Sequence, residues 1–124
     1  MDDLVLKVTP MMVLPDIRPV LRQYLALGFE SLDTGHPDCV GLRAGSSHLM
    51  LVSVALLEES FRRETVAPLV GTTVPYLYVS SLKAAKARLE ASAAVVQEIQ
   101  TDEGTLEAVV IQHGQFMILA EKLN

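Results

Sequence analysis

The stretch TPMMVLPDIRPVLRQYLALGFE, residues 9–30, reads as an apolar strand, a helix and the start of a second strand. Pro10 sits where a strand start or edge tolerates a missing N–H. Asp16 is placed as an N-cap, and Pro19 falls in the first helical turn, where its missing donor costs little. Ile17, Val20, Leu21, Tyr24, Leu25 and Leu27 then recur near helical spacing, and Gly28 stops the run. The same pattern returns downstream. VPYLYVSSLKAAKARLEASAA, residues 74–94, supplies a strand of β-branched and aromatic residues, a cap at Ser80 or Ser81, and a helix from Leu82 to about Ser92.

The two copies are in step. Thr9 and Val74 stand 65 residues apart, as do Asp16 and Ser81, and Pro10 aligns with Pro75. Three further strands follow each helix. In the first copy they are FESLD (29–33), CVGLRA (39–44) and HLMLVSV (48–54), separated by turn chemistry at TGHPD (34–38) and GSS (45–47). In the second they are VVQEIQ (95–100), TLEAVVIQ (105–112) and QFMILAEK (115–122), with turns at TDEG (101–104) and at His113-Gly114. The closing strands match at 68 residues, Met50 with Ile118. The expected class is therefore α+β, with two β-α-β-β-β modules forming curved half-barrel sheets around a cleft. The first module spans 1–54, a linker with a short helix 55–72, and the second module 73–124. One copy cannot cover the inner face of its own sheet, whereas two copies can close over a shared core or cleft.

Half the residues are apolar and a fifth are charged, which suffices for a packed core and is too hydrophobic for a disordered chain. The net charge is −5, and the ten Lys and Arg form no basic block. Nucleic-acid binding needs such a footprint, so it is not expected. A mildly acidic surface tolerates a cationic small molecule. No apolar run reaches the roughly 20 residues that cross a bilayer, and MDDLVLKV lacks the basic start of a signal peptide. With one cysteine, Cys39, no intramolecular disulfide forms. A cytoplasmic protein without membrane partners is expected.

Paired modules carrying TPMMVLPDIRPVLRQYLALGFE, CVGLRAGSSHLMLVSV, PYLYVSSLKAAKARLE and TLEAVVIQHGQFMILAE resemble the vicinal oxygen chelate superfamily over nearly the whole chain. That superfamily includes glyoxalase I, extradiol dioxygenases, fosfomycin-resistance enzymes and bleomycin-resistance proteins. The wording is most similar to the bleomycin-resistance and glyoxalase-like group. The resemblance implies a homodimer with ligand clefts lined by the sheets. One departure is the final hairpin, where Gln112-His113-Gly114-Gln115 replaces the family's Asp-Pro-x-Gly-Asn turn.

The resemblance also implies where metal ligands would stand: on the first and last strands of each module, at Thr9, Met50, Val74 and Ile118. Zinc, iron and manganese need several N, O or S donors at one point, and this set does not supply them. No metal and no cofactor are therefore expected. His36 and His113 fall in turns, where solvent is the ordinary environment. Cys39 has no neighbouring His or Lys in sequence and reads as an inert thiol. His48 precedes Met50 by two, so the two share a strand face. It can hydrogen-bond a ligand, act as a general base, or sit in water at a strand end.

Strand parity groups Thr9, Met11 and Val13; His48, Met50 and Val52; Val74, Tyr76 and Tyr78; and Phe116, Ile118 and Ala120. Superposed on the family fold, these faces line the cavity. The expected ligand-binding residues are Thr9, Met11, His48, Met50, Tyr76, Tyr78, Phe116 and Ile118. The same residues could instead meet as a filled core. Two buried tyrosine hydroxyls without partners would cost about 1–3 kcal/mol each, which favours a cleft. The expected function is metal-independent binding of a small, antibiotic-like aromatic molecule, one that a cationic group would suit, with no catalytic residue assigned. The alternative is a lyase or isomerase using His48 or a non-standard metal site. A third reading is partner binding through sheet edges or the 55–70 segment.

Overall fold

A computed structural model of the chain describes residues 3–123. The first helix, α1 (Arg18–Ala26), follows strand β1 (Val5–Leu14). Its N-cap residue is Ile17, not Asp16, and Ile17 makes no side-chain cap bond. Asp16 acts from one residue further out: its Oδ1 accepts from the Arg18 backbone N–H at 3.0 Å, and its carboxylate also takes the Arg18 guanidinium. The backbone turns at Ile17, so the carboxylate reaches the first helical donor rather than the third. That guanidinium holds the Asp16 carboxyl below the usual carboxylate range. At the other end Gly28 adopts φ 105°. Its N–H bonds the Leu25 carbonyl, and the Phe29 N–H bonds that of Tyr24, at 3.0 and 3.1 Å. This pair of hydrogen bonds closes the helix, and the Tyr24 and Phe29 rings meet edge to face at 5.0 Å across it.

Strands β2 (Glu30–His36), β3 (Cys39–Ala44) and β4 (Ser47–Ser53) follow. The segment read as one short helix and a linker holds three short pieces: α2 (Val54–Glu58), α3 (Arg63–Val66) and a 3-10 turn over Ala67–Leu69. Ser53 starts the first by accepting from the Leu56 N–H at 3.1 Å. Phe61, Val66 and Leu69 are buried, which anchors the segment.

The second copy comprises β5 (Thr73–Val79), α4 (Leu82–Ala87), β6 (Ala94–Gln100), β7 (Thr105–Gln112) and β8 (Gln115–Lys122). Ser81 is the cap, accepting from the Ala84 N–H at 3.1 Å, while Glu121 takes the Leu82 N–H at 2.7 Å. Helix α4 ends at Ala87, about one turn before the expected Ser92. Leu82, Ala85 and Leu89 pack on the sheet. Beyond Leu89 no large apolar side chain is available to hold another turn there. Because α4 is so short, Ser81→Ala should cost about 1 kcal/mol, read as a lower midpoint in urea at unchanged slope. The β7–β8 hairpin turns on His113 (φ 51°) and Gly114 (φ 73°), the two left-handed positions of a type I′ turn.

The described chain forms two compact units, cut differently from the repeats: Thr9–Val74, and residues 3–8 with 75–123. In the first, the strand order is β2-β3-β4-β1, with β1 parallel to β4 and the other pairings antiparallel. In the second it is β5-β8-β7-β6, with β5 parallel to β8. The registers repeat as the sequence does. Met11 pairs with Met50 and Tyr76 pairs with Ile118, so the two strands are displaced by 65 and 68 residues. Both outermost strands are bulged, β2 between Asp33 and His36, and β6 between Val95 and Gln97.

Each sheet packs its helix on one face. In the first unit Leu42 and Leu51 meet Ile17, with Met12, Leu14, Leu21 and Tyr24 around them. In the second Ala108, Val110 and Leu119 meet Leu82 and Ala85, and Leu4 joins them. The Leu4 carbonyl accepts the Ser80 N–H at 2.9 Å, which ties the N-terminal residues to this unit. Among the described residues no helix is long and apolar enough to cross a membrane.

Candidate functional site

The helix-free face of each sheet carries the residues singled out in the sequence. In the second unit the register places Tyr76, Ile118, Val109 and Gln97 in one row across β5, β8, β7 and β6. Tyr78, Ala120, Glu107 and Ile99 form the next. Ile118, Val109 and Ala120 are buried, whereas Tyr78, Phe116, Glu107 and Ile99 are half-buried and reach solvent.

Tyr76 is 9% exposed, and its hydroxyl donates to the Glu107 carboxylate. The contact is diagonal, from one row to the next, and Ala120 permits it because a methyl leaves the space between them open. The Tyr78 ring lies edge-on to Tyr76, with centroids 5.0 Å apart. Lys7, on the N-terminal part of β1, places its Nζ 5.7 Å from the Tyr78 ring centroid. Burial pushes the Glu107 carboxyl above the usual glutamate range. The Tyr76 hydrogen bond pulls it down and the charge of Glu103 adds to the rise, so burial outweighs the bond.

In the first unit Met11 stands beside Met50, and Met50 beside Gly41. Gly41 lacks a side chain, and Leu32 leans over the gap: a Cβ at position 41 would lie 3.4 Å from that of Leu32. Thr9 and Met11 are buried, and His48 and Met50 half-buried. His48 lies opposite Arg43 on β3, and Arg43 pairs with Glu30 at 2.7 Å.

The eight expected residues thus assemble as two sets of four, one on each sheet. At the four positions where the resemblance puts metal ligands, Val74 and Ile118 are buried hydrocarbon, Met50 offers a thioether and Thr9 one hydroxyl. That donor set does not fit a divalent ion. Among the described residues there is no group of three or more His, Cys, Asp or Glu placed to hold one.

An open depression of about 560 Å³ lies elsewhere, between α1 and the β2–β3 hairpin. None of the eight residues lines it, whereas His36 and Cys39 do. His36 is occupied with the turn, its Nδ1 accepting the Asp38 N–H at 3.0 Å. The Thr34 hydroxyl donates to the Cys39 carbonyl.

Two residues of the second unit's face escaped the sequence reading. Glu107 is the acid within the apolar run TLEAVVIQ, and its parity with buried Val109 was the available signal. Its presence corrects the hydroxyl argument: Tyr76 is buried and has a partner, so its burial needs no open cleft. Lys7 gave no local signal, because its contact lies across the fold.

No protein-family model matches the sequence, and neither does any curated protein. Solved structures do. A glyoxalase/bleomycin resistance protein/dioxygenase superfamily member from Vibrio splendidus 12B01 is 17% identical with TM-score 0.64, covering 94% of this chain and 98% of its own. Methylmalonyl-CoA epimerase from Mycobacterium tuberculosis is 15% identical with TM-score 0.66, covering 100% and 93%. A hypothetical protein from Bacillus halodurans C-125 is 19% identical with TM-score 0.63, covering 95% of each. At these identities the likeness is one of fold.

Proposed function

We propose that this chain, which has the α+β fold of the glyoxalase/bleomycin-resistance/dioxygenase superfamily, is a metal-independent binder of small aromatic molecules. The observation that carries the reading is the cluster of Tyr76, Tyr78 and Glu107 on a sheet face that reaches solvent. Tyr78 offers a stacking surface, Phe116 a second ring, and Ile118 an apolar floor. Thr9, Met11, His48 and Met50 supply a second, Met-rich face, and the flexible thioethers adapt to irregular ligands. The reading includes a homodimer in the cytoplasm, supported by the lone cysteine and by the family resemblance, and native mass spectrometry tests the dimer.

Fluorescence titration with acridine and N-methylacridinium tests the binding. Both planar probes should bind the intact protein, and Tyr78→Ala should weaken them roughly tenfold, the loss of one good stacking contact. Equal affinity in the variant would remove this face from the site. Turnover of a substrate that stops in His48→Ala while probe binding persists would replace the binding reading with a lyase or isomerase.

A further inference from the structure

We infer that the face carrying Tyr76, Tyr78 and Glu107 selects organic cations, and that Lys7 is the chain's own displaceable occupant of the cation position over Tyr78. The inference rests on the binding reading and names its ligand class. Three observations carry it. First, Glu107 is a half-buried carboxylate that receives the Tyr76 hydroxyl, and no ion pair to it occurs among the described residues. A bound cation would supply the counter-charge that the fold withholds. Second, the Tyr78 ring, two strands across in the same row, already holds an ammonium, the Lys7 Nζ at 5.7 Å from its centroid. The ring is therefore presented where a cation can lie over it. Third, Lys7 is easily displaced. It is exposed, it sits on an exposed segment with Val5, Leu6 and Val8, and it takes part in none of the ion pairs among the described residues. A lysine so placed can swing into water and yield the ring.

A ligand with a delocalised or alkylated nitrogen replaces the Lys7 ammonium on Tyr78, in the row that also carries the Glu107 carboxylate. A neutral molecule of the same shape gains only the stacking. The face thus separates two ligands that differ by one charge.

The experiment compares acridine, neutral at slightly alkaline pH, with N-methylacridinium, a permanent cation of nearly the same shape. The full chain should bind the cation more tightly. Lys7→Met should strengthen cation binding several-fold more than acridine binding, because both probes gain the freed ring but only the cation is relieved of repulsion, and Lys7→Arg should restore the original affinities. Glu107→Gln should weaken the cation roughly tenfold with little effect on acridine. Lys83→Met, which removes an exposed charge from α4, controls for net charge and should change neither. Equal binding of the two probes, or Lys7→Met affinities that match those of Lys83→Met, would overturn the cation inference and leave the binding reading standing. Failure of both probes to bind any variant would remove the binding reading and the inference together.

Discussion

Replacing Leu42 with alanine should destabilise the protein by about 3 kcal/mol and lower its melting temperature by roughly 10 °C or more. Leu42 is 0% exposed on β3, enclosed by Ile17 and Leu51 beneath α1. The α1 face itself has no fully buried residue, so the helix is held by what it rests on. Removing three carbons from its bed leaves a cavity that neither the sheet nor a nine-residue helix can fill without unpicking the Tyr24–Phe29 closure. Leu27→Ala is the matched control. Leu27 is 77% exposed, and its loss should stay within about 0.5 kcal/mol. Urea denaturation of the pair decides the matter: a Leu42 loss below about 1 kcal/mol would mean that this side of the sheet is not packed as described.

Tyr76→Phe should cost about 1 kcal/mol at neutral pH, because it strips a half-buried carboxylate of its hydrogen-bond donor while leaving the ring in place. The cost should depend on pH in a defined direction. The Glu107 carboxyl titrates above the ordinary glutamate range. Its contribution to stability is complete below that ordinary range and is lost as pH rises through the raised value. Deleting the Tyr76 hydroxyl removes the one influence that lowers the value and pushes it further up. The variant should therefore lose most at neutral and alkaline pH and approach the intact protein in acid. The groups around the carboxylate are Tyr76 and Tyr78 on β5, Ile99 on β6, Ala120 on β8, and Glu103 in the preceding turn. Lys7 lies over Tyr78. Glu107→Gln should be neutral to stabilising at neutral pH, since it removes a half-buried charge and keeps an acceptor. In the double variant the pH dependence of the Tyr76 effect should vanish. A pH-independent loss in Tyr76→Phe alone would assign the effect to packing.

The duplicated architecture was legible because it is written in spacing. The 65- and 68-residue displacements follow from Pro10/Pro75, the caps and the closing strands, and the pairings Met11–Met50 and Tyr76–Ile118 repeat them. Side-chain parity puts Met11 on a face with Met50, and Tyr76 on a face with Ile118, as the registers do. The misses have local causes. Asp16 and Ile17 compete for the cap, and the choice depends on a backbone turn that propensity does not specify. Ala, Lys and Glu favour continuing α4 past Ala87, but no large apolar side chain after Leu89 is there to hold it. The linker's three helical pieces are fixed by buried Phe61, Val66 and Leu69 rather than by a single period. Glu107 looked like any strand residue because its partner, Tyr76, is 31 positions away. Lys7 reaches Tyr78 over a still longer separation, which no window of sequence spans.

The bulges in β2 and β6 bear on how the molecule behaves in a crowd. A straight outermost strand offers unpaired donors and acceptors at a constant repeat and can seed fibrils. Here that repeat breaks, at Asp33/His36 in one unit and at Val95/Gln97 in the other. A strand that docks along β2 finds the ladder out of phase beyond Asp33, and one along β6 finds it out of phase beside Val95. Growth by strand addition should therefore stall after a few residues, which makes these two ladders poor templates for amyloid.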